Sequence, residues 1–140
     1  MASDRSGIVT PEDETFAAAF SAGQIPNWGF HHRDHLRLAW VHIQGLGLDR
    51  AISLVTESIR HFAAHHGAAD RYNETMTRFW LRAVAIAVSL HPALPFEDLL
   101  VAEPHLLDKT LVFRHWSRER LATDEAKGRW VEPDLRPMPA

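Results

Sequence analysis

The strongest constraint on the fold is punctuation: helix-starting and helix-stopping residues recur along the whole chain. Thr10-Pro11-Glu12-Asp13 supplies a capping hydroxyl, a proline at a position that needs no N–H, and acids at the positive end of a helix dipole. A first helix is expected to about Ala22, stopped by Gly23, followed by a loop with Pro26, Trp28 and Gly29. A second covers about His31 to Gln44 before Gly45 and Gly47, and a third about Asp49 to His66 before Gly67. A fourth covers about Asp70 to Leu90 before Pro92. Pro95 and Phe96 open a short piece to about Val101, Pro104 opens a sixth helix to about Trp116, and Ser117 caps a last short helix ending near Gly128.

From Trp130 the chain carries Pro133, Pro137 and Pro139, so an extended arm is expected, resting on the helices through Trp130, Val131 and Leu135. No alternating strand pattern or internal repeat is present. The short turns between helices two, three and four make them antiparallel neighbours. The expected fold is therefore all-α: one antiparallel, bundle-like helical domain over residues 1–140, with a flexible N-terminus (1–10) and a proline-rich C-terminal arm (129–140).

Composition narrows the chemistry. The chain has no cysteine, which removes disulfides, thiolate ligands and cysteine nucleophiles and is compatible with a reducing cytoplasm. A net charge of -3 gives no overall attraction to nucleic acid or an anionic membrane. No apolar run reaches the length of a membrane span, and residues 1–10 lack a signal-peptide core. A cytoplasmic protein is expected, without nucleic-acid or membrane partners. The unusual count is ten histidines, three of them in Phe30-His31-His32-Arg33-Asp34-His35-Leu36.

Helical geometry sorts those imidazoles, because side chains advance by about 100° per residue. On helix two the apolar stripe is Leu36, Ala39, Trp40 and Ile43. His32 falls within it and His35 on its flank, while His31 and His42 lie further out and Arg33, Arg37 and Gln44 face away. His66 continues the stripe of helix three; His61 and His65 do not. On helix four Asn73 and Thr77 flank a broad stripe that includes Tyr72, Met76, Phe79 and Trp80. Glu74 lies on the polar side, four residues before Arg78. Antiparallel connections bring the start of helix two, the end of helix three and the start of helix four to one end of the bundle. His32, His35, His66 and Asn73 or Glu74 should meet there. If helix six returns, its end adds Arg114 and His115.

Two imidazoles at i and i+3 can chelate one ion, and with oxygen ligands would suit zinc, iron, manganese or nickel. The metal candidates are therefore His32, His35, Asn73, Glu74 and His66. Asp34 is the candidate catalytic residue, orienting a histidine from behind. Each has a plainer alternative: His32 as a core histidine bonded to a backbone carbonyl, His66 as a helix-end residue favoured by the dipole, Glu74 with Arg78 as a surface pair, and Asn73 as a cap. Asp108 and Lys109 interrupt an apolar run and read as a solvent face. Arg114, Arg118 and Arg120 are expected to pair with Glu119, Asp124 and Glu125, and the tryptophans to be core and tail anchors. The zincin tetrad, phosphate loop, dinucleotide fingerprint, Ca²⁺ loop and nucleophile elbow are all missing, and no organic cofactor is expected.

The run from Phe30 to Trp40 resembles the opening signature of a family of small, uncharacterised bacterial helical proteins: Phe, any residue, His, any residue, acid, His. Tyr72-Asn73-Glu74-Thr75 followed by Trp80 resembles that family's Tyr-His-Glu-Thr block, and Leu107-Asp108-Lys109 through Trp130-Val131-Glu132-Pro133-Asp134-Leu135 its C-terminal part. The resemblance implies that His32 and His35, not His31, carry the site. It departs at Asn73, where the family pattern has histidine, so the site would be altered here, with His66, Glu74 or His115 as replacements. The leading expectation is a metal-dependent enzyme acting on a small molecule. The others are a metal-free enzyme with His32 or His35 as general acid or base, and a non-enzymatic helical module that binds a small ligand or a protein. A homodimer is compatible with each.

Overall fold

Thr10 caps the first helix as expected: its hydroxyl accepts from the Asp13 backbone, and the Asp13 carboxylate accepts in return from the Thr10 N–H. Asp13 also ties this helix, α1 (Pro11–Ser21), to the next through Arg37 Nε at 2.8 Å. The computed structural model describes residues 8–26 and 30–138, and among these there is no strand. Expectations for residues 1–7 and for Trp28, Gly29 and Pro139 lie outside the described residues.

Three longer helices follow the expected order: α2 (His32–Leu46), α3 (Leu48–His65) and α4 (Glu74–Leu90), each packed on the other two. Their apolar stripes close one core around Leu36, Leu38, Trp40, Val55, Leu81 and Val84. Gly45 is absorbed into α2; the turn falls at Gly47, whose φ of 82° is the conformation that favours glycine.

Several expectations are corrected. Helix four does not begin at Asp70. Residues Ala69–Arg71 form a single 3₁₀ turn, and α4 starts at Glu74 because the Asn73 side chain accepts from the Met76 N–H. The sixth helix is two 3₁₀ segments, Pro104–Leu107 and Lys109–Arg114, separated at Asp108. Asp108 takes both the Thr110 N–H and hydroxyl, and this local bonding competes with a continuous helix. The last helix is likewise divided, into α6 (Arg118–Leu121) and α7 (Asp124–Gly128), each capped by its own hydroxyl, Ser117 and Thr123. Between α4 and these pieces lies α5 (Phe96–Ala102), whose Phe96 packs on Trp40.

The C-terminal pieces close a second core, with Phe79, Trp116, Leu121, Ala126 and Val131 buried together. Thr75 on α4 joins this to the first core. Its hydroxyl is within 2.9 Å of the Ala126 carbonyl and 2.8 Å of the Arg129 carbonyl. The arm does rest on the helices through Val131 and Trp130, but Leu135 is exposed and its N–H donates to the His115 carbonyl instead. His42 and Gln44, expected to face outward, are enclosed at Nε2 and at both amide atoms respectively. The arginine cluster does not pair as expected: Arg120 donates to the Glu132 carbonyl, Arg118 lies over Phe113, and Glu125 pairs with Arg129. Among the described residues no helix is long and apolar enough to cross a membrane.

Candidate functional site

The predicted convergence of helix ends forms a cavity of about 410 Å³. The start of α2 contributes His32 and His35, the end of α3 Phe62 and Ala63, and the approach to α4 contributes Arg71, Tyr72 and Asn73. Met76, Thr77 and Trp80 continue that wall one and two turns along α4. The sixth element meets this end of the bundle through its beginning, Leu106 and Lys109, rather than its end. His115 is occupied elsewhere, with Nδ1 bonded to the Arg136 carbonyl at 3.0 Å.

His32 is fixed on two sides. Its Nε2 donates to the Leu106 carbonyl at 2.8 Å, and its ring meets the Trp80 indole edge-on at 4.5 Å. A carbonyl only accepts, so the neutral ring carries its proton on Nε2 and leaves the Nδ1 lone pair free. Burial pushes the His32 pKa below the ordinary value. The Leu106 bond opposes this, the Lys109 charge adds to it, and Asp108 opposes it more weakly. His35 sits deeper, against the Phe30 ring at 4.2 Å, with no hydrogen-bond partner among the described residues. Burial, and then the neighbouring His32, push its pKa down to about 4, against a smaller upward pull from Asp34. Both rings are therefore neutral at neutral pH.

The other candidate ligands are not free. Asn73 lines the cavity, but its oxygen caps α4 at 3.0 Å from Met76 N and its amide donates to the Leu121 carbonyl at 2.8 Å. Glu74 is not half of a surface pair: it is buried, with 3 % of its surface exposed. It accepts from Tyr72 at 2.6 Å, Arg60 at 2.8 Å and Arg78 at 2.6 Å, on a separate concavity between α3 and α4. Burial alone would raise its pKa; the bonds from Tyr72 and Arg78 and the charges of Arg78 and Arg60 outweigh that and hold it low. Burial, and then the same carboxylate, push the Tyr72 phenol up. His66 packs on Phe62 at 4.5 Å with its Nε2 enclosed, outside the cavity wall. Asp34 accepts from the His31 N–H at 2.9 Å as the return half of the α2 capping arrangement, so its bonded partner is backbone, not an imidazole.

Two imidazoles therefore share the cavity without a third ligand: among the described residues no group of three His, Asp or Glu side chains is placed to hold a metal ion. The cavity's charges are cations, Arg71 and Lys109, and no carboxylate is among its described lining. Sequence reasoning missed both, along with Trp80 as a wall residue; a backbone carbonyl partner for His32 was the plainer alternative there, but not that Leu106 supplies it. Lys109 did carry a signal, as a charge breaking an apolar run. Trp80 was on the expected stripe of helix four but assigned to the core, Arg71 became legible only once the turn before α4 was placed, and which carbonyl meets a side chain has no signature in sequence. No family model matches the chain, and neither the curated proteins nor the solved structures include a match.

Proposed function

We propose that this protein binds a small molecule in the cavity between α2, α3 and α4, with His32 Nδ1 as the proton acceptor that faces it. One observation carries the reading: His32 Nε2 lies 2.8 Å from the Leu106 carbonyl, a partner that can only accept, at the wall of a largely apolar cavity of ordinary ligand-binding size. A base that is unprotonated at neutral pH and already oriented needs only a substrate proton within reach to act as a general base. His35, beside it, offers a second neutral polar group to the ligand.

The test uses a neutral aromatic probe, 2-naphthamide, followed by the imidazole resonances of His32 and His35. The expected result is saturable shifts at both rings, abolished by Ala63→Phe, which fills the cavity from the α3 side. Shifts scattered over the surface, or unchanged in that variant, would remove the reading.

A metal-dependent enzyme stays as a second reading because His32 and His35, at i and i+3, face one cavity. It needs the two imidazoles as ligands, with the remaining positions filled by water or substrate. The positive charges of Arg71 and Lys109 work against a dication there. Stoichiometric zinc binding that perturbs both imidazoles, and is lost in His32→Ala and in His35→Ala, would make it the better reading.

A further inference from the structure

The cavity's charge says more about its occupant than its shape does. Arg71 ends the 3₁₀ turn before α4, and Lys109 opens the 3₁₀ segment after Asp108; the two line the same cavity. Among the described residues neither makes a salt bridge or a side-chain hydrogen bond. Arg60 and Arg78, by contrast, are both committed to Glu74. The remaining polar groups of the wall are neutral or spent: His32 and His35 are uncharged, the Asn73 side chain is bonded at both ends, and the Thr77 hydroxyl donates back to the Asn73 carbonyl. Beyond the cations the lining is hydrocarbon and aromatic, including Phe30, Val55, Ile59, Phe62 and Trp80. Asp108 lies outside the lining, next to Lys109 in the chain, and opposes the Lys109 charge as it is felt at His32, so the positive charge facing the cavity is less than the two cations alone would give. At about 30 Å³ for each water-sized group, 410 Å³ has room for roughly a dozen such groups.

We propose that the occupant is an amphipathic organic monoanion: an aromatic or aliphatic body against Phe30, Phe62 and Trp80, bearing one carboxylate that lies between Arg71 and Lys109. This rests on the cavity being the binding site and adds the chemical class of its ligand. An apolar body gains from leaving water for this wall, and the carboxylate exchanges hydration for charge-assisted bonds from an arginine and a lysine that are in no salt bridge among the described residues. A phosphate dianion fits less well, because Asp108 opposes part of the Lys109 charge at this wall.

Naphthalene-2-carboxylate, its neutral amide 2-naphthamide and 2-naphthyl phosphate test the assignment on one ring system. Affinity is measured by titration calorimetry, and location by the His32 and His35 resonances, at about pH 8 where both rings are neutral. The carboxylate is expected to bind roughly tenfold more tightly than the amide. Arg71→Gln and Lys109→Gln should each remove much of that preference, lowering carboxylate affinity more than amide affinity. Both side chains are exposed and make no salt bridge among the described residues, so these variants keep the fold. Added salt should weaken the carboxylate and not the amide.

Equal binding of acid and amide, with both still moving the imidazoles, would overturn the anion assignment and leave the cavity reading intact. A preference untouched by both variants would do the same, and tighter binding of the phosphate would overturn the monoanion. Failure of all three probes to move the imidazoles would overturn the assignment and the cavity reading together.

Discussion

Two polar clusters lie on either side of the first turn of α4, and they handle buried polarity in opposite ways. On one side the Glu74 carboxylate is enclosed by Tyr72, Arg60 and Arg78, and its bonds are completed within the fold. On the other, His32 is bonded at one nitrogen only and His35 at neither, among the described residues, while two cations stand unpaired at the same cavity. The first cluster has nothing left to offer a ligand, so its burial is structural. The second avoids the cost of buried charge by keeping its imidazoles neutral, and it retains unused hydrogen-bonding capacity where a ligand can reach it. Tyr72 and Asn73 are the hinge of the contrast, since both line the cavity yet direct their polar atoms into the framework.

The largest effect should come from breaking the completed cluster. Glu74→Ala leaves the buried Tyr72 hydroxyl without its acceptor and turns Arg60 and Arg78 loose. It is expected to cost about 3 kcal/mol in chemical denaturation. A loss below about 1 kcal/mol would reduce this cluster to an ordinary surface pair and erase the contrast.

Acidification should come next. An unfolded histidine protonates near 6.5, whereas folded His35 resists until about 4, so in that window the unfolded chain holds more protons. Stability is therefore fully present above the unfolded value and falls as pH drops through the window. The expected loss is on the order of 2–3 kcal/mol by about pH 4. His32 and His42, also depressed by burial, push in the same direction. His35→Phe should flatten the slope between about pH 6.5 and 4; an unchanged slope would show that this ring does not titrate as a buried group.

The smallest effect should come from Asn73→Ala, which removes the α4 cap and the bond to Leu121. It is expected to cost about 1–2 kcal/mol while leaving the His32 and His35 resonances in place. Movement of those resonances would couple the framework to the cavity and blur the two regions into one.

The helix order and the meeting of three helix ends were legible because they depend on periodicity and on short turns, which are local properties. His32 was readable for the same reason: it interrupts the stripe of Leu36, Ala39 and Ile43. The start of α4 was legible only in the alternative that made Asn73 a cap; the expected start at Asp70 failed because Tyr72 fits the apolar stripe while its backbone, like that of Asn73, is extended. Counting apolar positions cannot distinguish a helical residue from one just ahead of a cap. The division at Asp108 was missed because a side chain bonding its own neighbours competes with a helix without disturbing its pattern. Glu74 was misplaced because its burial is decided by Arg60 on another helix, fourteen positions away. The cation pair stayed hidden since Arg71 and Lys109 meet only through the tertiary fold.

The difference between a completed polar cluster and an open one is most directly tested by an NMR pH titration of the imidazole nitrogens in the wild-type protein. His35 should remain neutral down to about pH 4, and His32 should show its proton on Nε2 with Nδ1 unprotonated throughout the neutral range. Titration of His35 near 6.5 together with a mixed tautomer at His32 would contradict it, since the cavity would then hold two ordinary solvated histidines rather than a prepared pair of neutral ones.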